Sequence, residues 1–257
     1  MNIVLIGAGN VASHLGPLFQ SKGHKIIQLY SRTVKSGLTL SKKLKCKYIT
    51  DPSELLKEAD VYVIALRDEA IVSFLKKLIF IPKLIVHTSG SLGIEVFPPM
   101  LNNTGVLYPL QTFSKSNKKK PEKIPFCIEG NNQKSLTIIN KLAQSVSALV
   151  FKMNSTDRAL LHLAAVYVNN FSNYLFIIGE KILHRKKIPF EVLRPLIMET
   201  AQKVLLNSPS KMQTGPAQRG DAVIIERHIK LLSDYPEMKE IYSLFTKCIE
   251  KDYGPRL

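Results

Sequence analysis

A chain of 257 residues, 45% of them hydrophobic, has room for one large domain or two modest ones with apolar cores, which excludes an intrinsically disordered protein. No apolar run approaches the roughly 20 residues that span a bilayer, and the first residues carry no basic n-region or cleavage site, so a cytoplasmic protein with no membrane partner is expected. The formal charge of +16 sits on scattered lysines without interleaved aromatics or a recognition signature, which argues against a nucleic-acid partner.

In chain order, Ile3 to Ile6 is too apolar for a half-exposed strand and too short for a helix, and reads as the first strand of a parallel sheet. Gly7, Gly9 and Ala12 follow directly, and an apolar-periodic helix runs from Val11 to Phe19. The spacing G-x-G-x-x-A between a strand and a helix is the context of dinucleotide binding. Gly7 makes the tight turn, Gly9 admits a pyrophosphate, and Ala12 allows close helix packing. The N–H groups at the helix start would face the anion. After a second strand, Lys25 to Tyr30, the chain offers Ser31-Arg32-Thr33 and no acid where an NAD site places one. Arg32 would hold a 2′-phosphate, with the Ser31 and Thr33 hydroxyls as further donors, so NADP is the expected cofactor.

Val34 to Leu44 reads as a helix, Cys46 to Ile49 as a short strand, and Asp51 or Ser53 as the cap of a short helix through Lys57. Val61 to Leu66 is a buried strand whose end joins the cofactor set, and Asp68 would cap a helix from Glu69 to Phe80. The positions assigned to the cofactor are Gly7, Ala8, Gly9, Asn10, Val11, Ser31, Arg32, Thr33 and Leu66. Leu84 to Val86 runs into His87-Thr88-Ser89-Gly90-Ser91, where His87 is either a proton donor or a hydrogen-bonded structural residue, and Ser89 a substrate contact. Thr104 to Tyr108 is a further strand. Gln111 follows it in a polar turn, and a lysine-rich exposed loop spans Ser114 to Lys123. Strands at Phe126 to Glu129 and Leu149 to Lys152, with a helix from Gln133 to Val146 between them, would complete a first domain over 1–153.

From residue 154 to 257 only helical patterns remain: Asp157 to His184, Pro189 to Leu206, Ala222 to Leu232 and Glu237 to Ile249. The first is apolar on most faces, as for a helix buried against its own domain and a partner. Along it Arg158, His162, Asn169 and Asn173 fall on one stripe, where buried polar groups require one another, backbone or a ligand as partners. The polar turn Gln213 to Asp221 places Arg219 to clamp an anionic substrate and Asp221 to cap the next helix or meet substrate, while His228 lies too far along that helix for a direct pair with Asp221. Cys46, Cys127 and Cys248 are far apart and lack any C-x-x-C spacing, so neither a disulfide nor a metal site is expected.

Several stretches together carry a resemblance: GAGNVA at Gly7 to Ala12, SRT at Ser31 to Thr33, HTSGS at His87 to Ser91, YPLQTF at Tyr108 to Phe113, HLAAVYVNNF at His162 to Phe171 and TGPAQRGD at Thr214 to Asp221. With them the chain resembles the Rossmann-like oxidoreductases whose helical C-terminal half is a domain of unknown function, in the wider superfamily of pyrroline-5-carboxylate reductase, 6-phosphogluconate dehydrogenase and deazaflavin-dependent NADP reductases. The resemblance implies an α/β N-terminal NAD(P)-binding Rossmann fold followed by an all-α C-terminal domain like that of 6-phosphogluconate dehydrogenase. It also implies a homodimer through the helical domain and a small-molecule substrate between the domains. In the related β-hydroxyacid dehydrogenases a Lys four residues before an Asn supplies the acid; if Asn169 is that Asn, the position is Ala165 here, and the lysine is absent.

The expected function is hydride transfer between NADP and a small carbonyl or imine compound, with His162 protonating, Asn169 orienting and His87 nearby. Ser89, Gln111, Asn173, Arg219 and Asp221 are the candidate substrate contacts. The alternative is a catalytically silent NADP-binding redox sensor or scaffold.

Overall fold

The computed structural model describes residues 1–114 and 123–254. The central 115–122 of the lysine-rich loop expected at Ser114 to Lys123 lie outside the described residues. By contacts the described chain forms two compact units, Met1–Val168 and Asn169–Leu257. The contact boundary falls later than the composition change at residue 153, because the first turns of the long helix pack on the sheet of the first unit.

The first unit contains eight strands: β1 (Asn2–Ile6), β2 (Lys25–Tyr30), β3 (Lys47–Ile49), β4 (Val61–Ile64), β5 (Ile85–His87), β6 (Thr104–Pro109), β7 (Phe126–Gly130) and β8 (Val150–Lys152). They form one sheet in the order β3-β2-β1-β4-β5-β6-β7-β8. All neighbours are parallel except β6 and β7, which run antiparallel, a departure from a wholly parallel reading.

Alternation along the buried strands feeds two cores. Ile3, Leu5, Val61 and Val63 face one side, and Val4, Ile6, Tyr62 and Ile64 face the other. The first core is covered by α1 (Asn10–Ser21), α2 (Val34–Leu44) and α4 (Gln133–Val146) through residues such as Leu15, Phe19, Leu40 and Leu142, and the second by α3 (Asp68–Leu75) through Ile71 and Phe74. Two covered faces explain why these strands read as continuous apolar runs. The helix expected through Phe80 stops at Leu75, and Arg67, not Asp68, occupies its N-cap. Asp51 does cap, but over a single 3-10 turn, Pro52–Glu54.

The long helix is not continuous. It comprises α5 (Ser155–Ala165), a π-helical turn over Val166–Phe171, and α6 (Ser172–His184). A π turn widens the helix, so the even spacing that put Asn169 and Asn173 on the stripe of Arg158 and His162 does not hold through it. The second unit continues with a 3-10 turn at Phe190–Leu193 that replaces the expected start at Pro189, then α7 (Arg194–Leu206), α8 (Pro216–Arg219), α9 (Ala222–Leu231) and α10 (Pro236–Tyr253). No described helix is long and apolar enough to cross a membrane.

The turn from β1 to α1 depends on close backbone approach. Gly7 has φ +116°, and a Cβ there would lie 2.3 Å from the Ala65 carbonyl oxygen, whereas a Cβ on Gly9 would meet nothing within 4 Å. Gly7→Ala should therefore lower the unfolding free energy by at least roughly 2 kcal/mol, and Gly9→Ala should stay within about 1 kcal/mol of the parent, as read by urea denaturation.

Candidate functional site

At the carboxyl ends of β1, β2 and β4 the chain leaves a cleft of about 720 Å³. Gly7, Ala8, Gly9, Asn10, Val11, Ser31, Arg32, Thr33 and Leu66 all line it, so the structure brings every position of the cofactor set to one wall-to-wall site. Gly9 is the N-cap of α1 and offers no side-chain hydrogen bond to the first turn, which leaves that end of the helix suited to an anion. Together with the open space over Gly9, the arrangement fits a dinucleotide pyrophosphate. Ala12, with no exposed surface, packs α1 on the sheet.

The lining of the cleft also carries Arg32, Arg67 and Lys77, with Glu69 as its carboxylate. Lys77 escaped the sequence reading because it stands beyond the end of α3; no local pattern joins it to Arg32. The Ser31 hydroxyl donates to the Thr33 carbonyl oxygen at 3.0 Å, and its own N–H donates to the Ile49 carbonyl at 3.0 Å. Its proton shapes the turn that presents Arg32 and Thr33 to the cleft.

Next along the same sheet edge lies HTSGS. Ser89 Oγ accepts N–H bonds from Ser91 at 3.1 Å and Leu92 at 3.0 Å, and the Ser91 hydroxyl donates to Asp68, so Asp68 braces this turn instead of capping α3. His87 has no exposed surface, stacks on Phe97 with centroids 5.4 Å apart, and accepts the Ser89 N–H on Nδ1 at 3.2 Å. Burial, aided by the Arg158 charge, pushes its pKa down to about 4. At neutral pH the imidazole is uncharged and enclosed, so of its two readings the geometry supplies the structural one and corrects the proton-donor one.

Arg158 is likewise completely buried. Its guanidinium pairs with Glu129 at the end of β7 and donates to the Leu92 carbonyl and to Ser155 Oγ at 3.2 Å. Ser155 in turn donates to Glu129 at 2.8 Å and accepts the Ile94 N–H at 2.9 Å. Glu129 was missed in the sequence because it lies in a strand 29 residues earlier. One helical turn beyond Arg158, His162 Nδ1 lies 3.1 Å from the Tyr108 hydroxyl. Gln111 lies exposed after β6, with its Oε1 accepting the Thr112 N–H at 2.8 Å.

The remaining candidates belong to the helical unit. Asn169, Asn173 and Arg219 are exposed there, and Asp221 caps α9 by accepting the Ile224 N–H at 3.2 Å. His228 Nδ1 meets the Tyr242 hydroxyl at 2.9 Å. This unit has its own apolar cavity of about 240 Å³, lined in part by Thr214, Pro216 and Tyr242. Cys46, Cys127 and Cys248 are free thiols, and the described residues contain no cluster of metal-ligating side chains.

A buried neutral histidine makes stability depend on pH with a definite sign. Its folded pKa of about 4 lies below the unfolded value of 6.5, so on acidification the unfolded chain gains a proton that the folded chain refuses. Stability should fall from pH 6.5 towards pH 4 by up to roughly 3 kcal/mol through this group. Denaturation curves of His87→Gln should lose that part of the slope, and equal slopes for parent and variant would contradict it.

Residues 2–89 match the family model described as NADP oxidoreductase coenzyme F420-dependent, and residues 124–249 match that of a domain of unknown function, DUF2520. None of the curated proteins compared with the chain matches it. Among solved structures, a Bacteroides fragilis protein provisionally named an NADP oxidoreductase is 38% identical over 97% of this chain and 98% of its own, with a TM-score of 0.91. An imine reductase from Myxococcus stipitatus in complex with NADP+ is 14% identical over 99% of this chain and 96% of its own, with a TM-score of 0.69. A 1-pyrroline-5-carboxylate reductase from Streptococcus pyogenes is 15% identical over 98% of both chains, with a TM-score of 0.60. The last two likenesses concern the fold, whereas the first extends to sequence over the whole chain. The chain thus belongs to the family of the Bacteroides fragilis protein, in which an NADP-oxidoreductase-type Rossmann domain is followed by a DUF2520 domain.

Proposed function

We propose that the protein is an NADP-dependent oxidoreductase that reduces a small carbonyl or imine compound. The observation that carries this reading is the cleft at the β1, β2 and β4 edge, whose lining joins a capless helix start and open Gly9 with Arg32, Arg67 and Lys77. An open helix start and three cations in one cleft suit the phosphates of a dinucleotide. Bound there, the cofactor supplies the hydride. The chain's own residues hold the phosphates, and His162 meets the acceptor. Carbonyl and imine acceptors are named because an imine reductase shares the fold. Ala165 in place of the dehydrogenase lysine favours one alternative, a catalytically silent NADP-binding sensor.

Fluorescence titration of the purified protein with NADPH and NADH tests the cofactor. NADPH should bind, and Arg32→Ala should weaken it ten- to a hundredfold, on the order of a lost charge-assisted hydrogen bond, with little change for NADH. No binding of either nucleotide would end the reading. Tight NADPH binding without hydride transfer to any compound in a wide carbonyl and imine panel would leave the sensor.

We also propose that a second copy of this chain covers the helical unit. Among its described residues only Ala217, Leu232 and Thr246 are buried, while Leu205 and Leu206 are 82% and 85% exposed. A helical unit with so little enclosed apolar surface lacks a core of its own, and a symmetric pairing of its apolar helices supplies one. Light scattering should give twice the chain mass. Leu205→Glu with Leu206→Glu should shift it towards one chain and lower the melting temperature, whereas a monomeric parent would refute the pairing.

A further inference from the structure

Three segments of the first unit converge on one histidine. Tyr108 stands near the end of β6, Gly90 in the turn after β5, and His162 on α5. The Tyr108 hydroxyl lies 3.1 Å from His162 Nδ1, and the two rings meet edge to face with centroids 5.9 Å apart. Gly90 is the floor beneath them. A Cβ at that position would come within 2.7 Å of His162 Nδ1, 2.8 Å of Tyr108 Cζ and 2.9 Å of His162 Cγ, so any side chain there would push the rings apart.

The Arg158 network fastens the same three segments. Its guanidinium reaches Glu129 on β7, which pairs with β6, and the Leu92 carbonyl two residues beyond Gly90, from a position one turn before His162. The pairings Ile64 with His87 and His87 with Val106 put the ends of β4, β5 and β6 on one edge. Strand spacing of about 4.8 Å sets Tyr108 roughly 10 Å along that edge from the β4 end, where Leu66 lines the nucleotide cleft. A dinucleotide lying across the carboxyl edge runs in this direction.

We propose that Tyr108 is a positioning residue for His162: its hydroxyl donates to Nδ1 and so holds the neutral imidazole with its proton on Nε2, on the ring edge away from Tyr108, where it hydrogen-bonds and polarises the heteroatom of the acceptor. His162 is only half-buried, and Gly90 and Tyr108 close its Nδ1 edge. Burial raises the Tyr108 pKa despite the opposing charge of Arg158, so the phenol keeps the proton it donates. The polarising role rests on the oxidoreductase reading above; the tautomer does not. The role belongs to this chain's own residues and replaces, by a neutral donor, the cation that Ala165 does not supply.

The test is long-range 1H–15N spectroscopy of protein labelled at histidine nitrogens, with His162 assigned by its loss in His162→Gln. The parent should show His162 protonated on Nε2 and bare on Nδ1, and Tyr108→Phe should redistribute the proton between the two nitrogens while binding NADPH like the parent. A parent proton on Nδ1, or a Tyr108→Phe spectrum identical to the parent's, overturns the positioning role. Where the carbonyl and imine panel returns an acceptor, Tyr108→Phe should lower kcat roughly tenfold, the worth of one hydrogen bond, and an unchanged kcat overturns the polarising role. Failure of the parent to bind NADPH is a separate readout that refutes the cofactor reading and, with it, the polarising half, leaving the tautomer to be judged by its own spectrum.

Discussion

A guanidinium enclosed without exposed surface has to be compensated, and the way Arg158 is compensated organises the carboxyl edge of the sheet beyond the nucleotide cleft. Its partners are a carboxylate on β7, a carbonyl in the loop after β5 and the serine that begins its own helix. Each comes from a different segment, so the single charge fixes the relative positions of all three. Removing the carboxylate from such a pair costs on the order of 3–5 kcal/mol, because the charge left behind stays buried. That cost is what holds α5 in register with the HTSGS turn, and His162 over Gly90 with it.

The nucleotide half of the edge obeys a different constraint, backbone against backbone. β1 and β4 are adjacent parallel strands, and the chain leaving β1 must pass the carbonyl of Ala65 so closely that only a residue without Cβ fits at position 7. The same turn delivers α1 with its N-terminus lining the cleft. Packing through Ala12, Leu15 and Phe19 then keeps the helix there.

These two constraints differed in how far they could be read in advance. The glycine turn is local: the tight turn at Gly7 and the close packing of Ala12 follow from their spacing between a strand and a helix, and all the positions assigned to the cofactor line one cleft. The polar stripe is non-local. Its sequence showed that Arg158 and His162 require partners, but Glu129 and Tyr108 lie 29 and 54 residues away, at distances that only strand pairing determines. His87 was ambiguous for the same reason, since its charge state depends on Phe97 and the turn that encloses it. The π turn at Val166–Phe171 carries no glycine or proline to announce it, and it displaced a stripe drawn on a regular helix.

By itself, then, the sequence determined the alternation of strands and helices, the α/β class, the glycine turn and the boundary in composition near residue 153. Each of these depends on interactions within a few residues, through apolar periodicity, glycine conformation and helix starts. Tertiary structure alone decided which polar groups meet. The antiparallel turn of β7 brings Glu129 to Arg158, the carboxyl edge gathers Arg32 with Lys77, and Gly90 admits Tyr108 to His162. Burial and pairing across the sheet set the charge and orientation of these groups, and neither quantity exists in a chain that has not yet folded.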